Sequence, residues 1–507
     1  MSEVAASKSE TLSSKRLVAD TFARSIIWTA CLIIMQRGIG FLRSFYVCGA
    51  LAPNEVGQWD LAFNFLSMVA PLAVLGIPGS FGRYVAFYEK NGQQRQFLKR
   101  TVVACLALTC LASLLIRILR SSIAVLFFGD TASQDTVALL AIGLPVVVFF
   151  NFASSWFTGV RLNRIVFRIQ FAQTLFFAFL CVIGVQTFAA TATSVIIAYF
   201  LSCLIGLCLA ASYSVLEGTT NEAKNEAKGD LSIWRNILPF AVWVWISNAL
   251  FNLFSVCDRM LLVNFYPDKN VDVQFLIGQY HTASIFPLLL MSIGSTAGCM
   301  LIPYLSKDWE SGSHQTVRER MNLMLKSIGI FCLASSIGIL VIAPQLFGGI
   351  WKDKFAMGES LLPFALCYSS LAAMTFLAQK YFWCIEKTWL GSSSILLGLI
   401  TNFGLGVILI GPYGIEGVVI STLVAHAVVL TSVLTLCNRN GLKIDFGVYV
   451  VAATICSVSF GAVAACVSCA GLVLIGILTE LLFTHSEKAL VLKTLKSAGS
   501  KLIGAVS

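Results

Sequence analysis

SIIWTACLIIMQRGIGFLRSFYVCGALAPNEVGQWD, residues 25–60, decides the fold. Residues 25–50 form an apolar run whose only charges are Arg37 and Arg43. About 20 such residues cross a ~30 Å hydrocarbon layer as a helix. Comparable runs recur to about Leu482, and the expected spans lie near 25–50, 58–78, 101–119, 136–158, 166–187, 193–215, 237–265, 276–303, 325–346, 358–383, 389–410, 415–437, 446–464 and 467–484. With 57% hydrophobic and 12% charged residues and a mean hydropathy of +0.84, the 507-residue chain has too little polar surface for a soluble globule. No segment alternates as barrel strands do, so an all-α polytopic membrane protein of about 14 transmembrane helices is expected. Residues 446–484 admit two readings, a pair of spans or one tilted helix plus an interfacial segment, because no charge separates them.

Lysine and arginine set membrane orientation. With the N-terminus in the cytoplasm, the inner connections and both tails hold 26 of the 35 basic residues, the outer connections five, and the spans four: Arg37, Arg43, Arg259 and Lys380. Both termini are therefore expected inside. The net charge of +10 is spread over short loops with no basic domain, which excludes a nucleic-acid partner. Residues 1–24 are polar and lead into an arginine-bearing segment unlike a signal peptide, so the first helix is expected to be retained.

The motif Gly57-Gln58-Trp59 has a counterpart in Gly278-Gln279-Tyr280. Tyr84, Glu89 to Gly92 and Arg100 fall opposite Tyr304, Glu310 to Gly312 and Arg320, at an offset of 220 or 221. The repeat implies a parallel pair of six-helix lobes, residues 25–215 and 234–437, joined by a cytoplasmic linker at 216–233. Helices 13 and 14 at 446–484 and tails at 1–24 and 485–507 complete the layout. Repeated bundles of this kind are common in secondary transporters.

A charge inside the bilayer costs at least ~2.5 kcal/mol on insertion scales, so each needs a partner or a wet cavity. Arg37 lies about 13 residues, ~20 Å, from either end of its helix, too deep to reach a headgroup. Arg43 and Asp258-Arg259 occupy equivalent places in the two halves. Two readings are open for Arg43 and Arg259: a shared site for an anion such as a diphosphate, whose oxygens the guanidinium fork matches, or snorkelling to the outer headgroups with Asp258 neutralising its neighbour. Arg83 either meets a phosphate or merely sets topology, and Lys380 either faces the cavity or snorkels inward. Asn151, Asn252 and Asn402 suit sugar hydroxyls or helix packing.

Nothing else in the chain carries chemistry. Fifteen of the sixteen cysteines lie in or at the ends of spans, Cys466 and Cys469 have no polar partner, and the four histidines are scattered. No metal or other cofactor is expected. No P-loop, catalytic carboxylate pair or nucleophile elbow appears, so the chain is not expected to be an enzyme. Asp258 is the one acid in a span away from a membrane end, with Asp60 and Glu416 at outer helix starts.

At this point the chain resembles the polysaccharide transporter, or oligosaccharide flippase, branch of the multidrug/oligosaccharidyl-lipid/polysaccharide exporter superfamily. The resemblance rests on the order of Gly57-Gln58-Trp59 after an arginine-bearing first helix, Asp258-Arg259, and Gly278-Gln279-Tyr280-His281-Thr282-Ala283. Pro303, Gly348, Asn402 and Gly414-Ile415-Glu416-Gly417 continue it, over about residues 20–440. Ala189-Ala190-Thr191 departs from the family's glycine-rich turn, and the loop 266–277 is longer than usual.

The resemblance implies two six-helix lobes in a V around a central cavity, with two further helices. It also implies flipping of a polyprenyl-diphosphate-linked oligosaccharide by alternating access in a prokaryotic inner membrane, with Arg37, Arg43 and Arg259 on the diphosphate. Arg83, Asp258, Lys380, Asn151, Asn252 and Asn402 are the secondary candidates. A coupling ion, H+ or Na+, and polysaccharide polymerase and ligase machinery are the implied partners. Two other readings stand beside it. A cation-coupled drug exporter of the same fold predicts efflux of lipophilic cations, and a non-transporting scaffold of glycan assembly predicts export that survives removal of the arginines.

Overall fold

The computed structural model describes residues 22–218, 232–268, 270–479 and 482. The tails and the linker expected from the sequence lie largely outside the described residues. Among those residues every regular element is helical. They are α1 (Phe22–Ala50), α2 (Pro53–Ala73), α3 (Phe81–Lys90), α4 (Gln94–Ile118), α5 (Gln134–Gly159), α6 (Asn163–Thr187) and α7 (Ala192–Gly218). The second half brings α8 (Ser232–Phe265), α9 (Val273–Glu310), α10 (His314–Pro344), α11 (Ala356–Ala378), α12 (Trp389–Arg439), α13 (Phe446–Ile455) and α14 (Ala462–Leu478), with short helical turns between some of them.

Ten described helices are long and apolar enough to cross a membrane. The longest, α12, has 51 residues and is a hairpin: Pro412 cannot continue the ladder and Gly414, at φ 56°, reverses the chain. Its arms return on one another through Ser394–Ser432 at 3.1 Å and Ser421–Asn402 at 2.9 Å. Counting both arms, α2 and the shorter apolar helices α13 and α14, the architecture accommodates the expected 14 crossings. Residues 446–478 form two helices, and the break falls at Gly461, φ 96°, with Cys466 and Cys469 inside α14.

The chain divides into two compact units, residues 1–52 with 61–252, and residues 53–60 with 253–507. The cut passes through α2 and α8. In the first unit, the start of α8 leans on the end of α2: Trp245 Nε1 donates to the Leu72 carbonyl at 3.1 Å. Its core is aromatic, with Phe81 edge-on to Phe152 at 5.0 Å and to Trp156 at 5.5 Å, and Tyr88 stacked on Phe97 at 4.7 Å. Such pairs contribute about 0.5–1.5 kcal/mol beyond their buried area.

In the second unit, α11 is the central helix, 83% buried over its most apolar window, because Ala, Ser and Leu along it let neighbours approach closely. The first turns of α2 meet α9 with almost no space between backbones. A Cβ on Gly57 would stand 1.8 Å from the Gln274 carbonyl oxygen, and one on Gly278 would stand 1.9 Å from that of Pro53. The two copies of the Gly-Gln-aromatic motif thus pack against each other.

The helices α13 and α14 are tied to α10 by a polar staple. Lys326, 1% exposed, reaches Asp445 at 3.1 Å, Arg318 reaches the same carboxylate at 3.3 Å, and Asn322 bonds both the Lys443 carbonyl and the Asp445 amide. Asp445→Ala removes the carboxylate facing a buried ammonium and is expected to cost about 2–3 kcal/mol, less than a fully enclosed pair because Asp445 is partly exposed. A lowered thermal midpoint in detergent, with earlier proteolysis within residues 446–478, would record it; an unchanged midpoint would show the staple to be idle.

Candidate functional site

Two polar clusters stand inside the apolar helices, one in each unit. In the first, Gln36 and Arg43 are seven residues apart and share a face of α1, while Gln170, Thr174 and Phe177 share a face of α6. These faces meet. Gln36 Nε2 donates to Gln170 Oε1 at 3.5 Å and Thr174 Oγ1 at 3.4 Å, and the Arg43 guanidinium lies 3.9 Å from the centroid of the Phe177 ring. The order 36 to 43 against 170 to 177 makes α1 and α6 parallel, as the first and fifth of the expected spans must be.

Phe177 offers Arg43 a cation–π face, and no carboxylate among the described residues pairs with it. Arg37 is exposed on α1, six residues and about 120° round the helix from Arg43, so the two arginines do not share a face. Asn151 is exposed on α5. Arg83 belongs to α3, and its side chain lies outside what the structure describes.

The second cluster grows from Asp258-Arg259 on α8, whose side chains diverge. Asp258, 3% exposed, accepts from Tyr280 Oη of α9 at 2.5 Å, from Asn402 Nδ2 on the first arm of α12 at 2.9 Å, and from Thr422 Oγ1 on the second arm at 2.7 Å. Tyr280 Oη is also 3.4 Å from Tyr368 Oη of α11. One carboxylate therefore ties four helices together, and its charge is met by three donors.

Arg259 turns the other way. Its Nε donates to Asp60 Oδ2 at 3.0 Å, and its guanidinium covers the Tyr280 ring at 4.5 Å. The other oxygen of Asp60 is 2.7 Å from His281 Nδ1. The counter-ion of Arg259 is thus Asp60, 199 residues away, and not the adjacent Asp258.

Among the candidates of the second unit, Asp258 and Asn402 bond each other, and Arg259 joins their cluster through the Tyr280 ring. Asn252 donates to the Asn248 carbonyl of its own helix at 2.9 Å, and Lys380 sits 5.6 Å over the Trp383 ring. The sequence alone does not single out Asp60, Tyr280, His281, Tyr368 and Thr422 as site residues. One signal was present: the 221-residue offset that sets Gly57 opposite Gly278 also sets Asp60 opposite His281, and these two side chains bond each other.

Comparison with known proteins agrees with this architecture. The chain is similar to the solved lipid II flippase MurJ in an inward closed conformation, at a TM-score of 0.67 and 14% identity, over 89% of this chain and 97% of that one. It is also similar to an inward-facing multidrug resistance MATE family transporter of the MOP superfamily, at a TM-score of 0.60 and 15% identity, over 81% and 95% of the two chains.

In sequence, 145 residues are 28% identical to the lipid III flippase of Escherichia coli, spanning 28% of this chain and 34% of that protein, so the match covers about a third of the relative's length. The EPS I polysaccharide export inner membrane protein EpsE of Ralstonia nicotianae is 19% identical over 362 residues, 70% of this chain and 79% of that one. A family model described as "Polysaccharide biosynthesis protein" matches residues 22–309, more than half of the chain. With its helices, its repeat motif and this match in agreement, the chain is a polytopic membrane protein that belongs to the polysaccharide biosynthesis protein family.

Proposed function

We propose that this chain is a flippase that carries a polyprenyl-diphosphate-linked oligosaccharide from the inner to the outer leaflet of a prokaryotic inner membrane, with both termini in the cytoplasm. The observation that carries the reading is Arg43: a guanidinium inside an apolar helix, set over an aromatic ring and paired with no described carboxylate. An intramembrane cation of this kind calls for an anion from outside the chain, and a diphosphate matches its planar fork. Relatives whose names are those of lipid-linked flippases and of a polysaccharide export protein support the same substrate class.

In this proposal Arg43 takes the diphosphate in the first unit, with Arg37, on another face of α1, outside that contact, and Arg259, positioned by Asp60, takes it in the second. Transport proceeds by alternating access. Moving a net anion outward is favoured by an inside-negative potential at ~2.3 kcal/mol per charge per 100 mV. A coupling ion, H+ or Na+, belongs to the proposal too, and Asp258 is the buried carboxylate whose replacement would reveal ion dependence. Polymerase and ligase machinery would act on the delivered oligosaccharide.

The test is a strain lacking this chain. Lipid-linked oligosaccharide should accumulate on the cytoplasmic leaflet and be cleared by the wild-type chain. Absence of accumulation would reject a flippase and favour a scaffold.

A further inference from the structure

Along the second arm of α12, Val424, Val428, Thr431, Thr435 and Arg439 follow at steps of four, three, four and four, which places them in one stripe. The stripe is the floor of a cavity of about 680 Å³ that Leu397 of the first arm and Cys456, just after α13, also line. All of it lies within the second unit. The lining is apolar even where the residues are not. Thr431 donates to the Ala427 carbonyl at 2.8 Å and Thr435 to the Thr431 carbonyl at 2.7 Å, so both hydroxyls are spent on their own helix. From Val424 to Thr435 a sugar would find no free hydroxyl donor along this stripe, whereas a hydrocarbon chain loses nothing there.

The mouth has the opposite character. Arg439 closes the helix and is exposed. Lys387 bonds Asn440 Oδ1 at 2.9 Å, and Lys443 is exposed beyond the turn. Of the acids nearby, Asp445 is engaged by Lys326 and Arg318, which leaves Glu386 against three cations. Trp383 and Trp389, 60% and 64% exposed, flank Lys387 at this same end and mark a membrane interface. From Val424 to Arg439 is ~22 Å of helix rise, which equals half of a ~40–45 Å bilayer counted with its headgroups.

From this geometry we infer that the groove is a site for an anionic membrane phospholipid, with one acyl chain laid along Val424 to Thr435 and its phosphate at Arg439. A basic pocket between helices, open at headgroup level, is the chemistry by which such lipids are retained. The site does not depend on the proposed transport.

The test uses the full chain, purified and delipidated in detergent, with the thermal midpoint read in micelles doped with dioleoylphosphatidylglycerol or dioleoylphosphatidylcholine at equal mole fraction. The anionic lipid should raise the midpoint by about 2 °C or more over the zwitterionic one, and Arg439→Ala should erase the difference. Val428→Trp, which fills the groove, should erase it too; should that variant not fold, the exposed Arg439 still decides. Equal midpoints in the wild type, or a difference that survives Arg439→Ala, overturn the site. So does glycerol phosphate alone reproducing the shift, which would mean a plain anion site, or undecaprenyl phosphate displacing the phospholipid, which would assign the groove to a polyprenyl chain. None of these arms reads transport, so their failure is distinct from failure of the flippase proposal.

Discussion

Arg43→Ala is expected to abolish oligosaccharide export while the protein accumulates to its normal level. The two halves of this result have separate causes. Removing a charge from a membrane helix relieves an insertion cost of at least ~2.5 kcal/mol, so the variant should insert no worse than the wild type. Removing the guanidinium takes away a charge-assisted contact to the diphosphate, for which about 2 kcal/mol or more, ~30-fold in affinity, is a reasonable floor. Arg43→Lys keeps the charge over Phe177 but loses the fork, and intermediate export is expected. Clearance of lipid-linked oligosaccharide by Arg43→Ala at wild-type rate, at matched protein levels, would sink the anion-site mechanism.

The second large effect concerns Arg259 and Asp60. Their side chains are 12% and 6% exposed, so removing either leaves an opposite charge in a nearly dry site, at a cost of about 3–5 kcal/mol. Asp60→Leu alone and Arg259→Met alone should therefore both lower the thermal midpoint and the protein level. The double variant should recover much of that stability, since two apolar side chains can replace a buried pair at little cost, giving a coupling of about 2 kcal/mol or more. Export should not recover with it, because the proposal gives Arg259 a diphosphate to hold. A double variant that is stable and exports normally would reduce Arg259 to a structural residue. One that is no more stable than the single variants would show that the pair is not what holds the first turns of α2 to α8.

What was legible in the sequence, and what was not, follows from the range of the forces involved. The hairpin of α12 was readable because Gly414-Ile415-Glu416-Gly417 breaks an apolar run within a few residues. Asp258 stood out because an acid deep in an apolar run is conspicuous on its own. Its partners do not follow from it: Tyr280, Asn402 and Thr422 lie 22, 144 and 164 residues away, and although Asn402 is a candidate in its own right, nothing local ties it to Asp258. In the sequence Asp60 is a polar residue at an outer helix start, and His281 is one of four scattered histidines. Only their common offset in the repeat pointed from one to the other.

The sequence by itself determined that the chain crosses a membrane many times as helices, roughly where each crossing begins and ends, and which charges are too deep to ignore. Those features follow from hydropathy, charge and helix-breaking residues, all of which act locally along the chain. The tertiary structure alone decided how each deep charge is answered. It sent Asp258 and Arg259, adjacent on one helix, to different partners, because neighbours on a helix point about 100° apart and face different packing surfaces. It gave Arg259 a carboxylate and left Arg43 with an aromatic face, since the choice depends on which helices touch, and contacts among helices are set by side-chain shape across the whole fold rather than by any one segment.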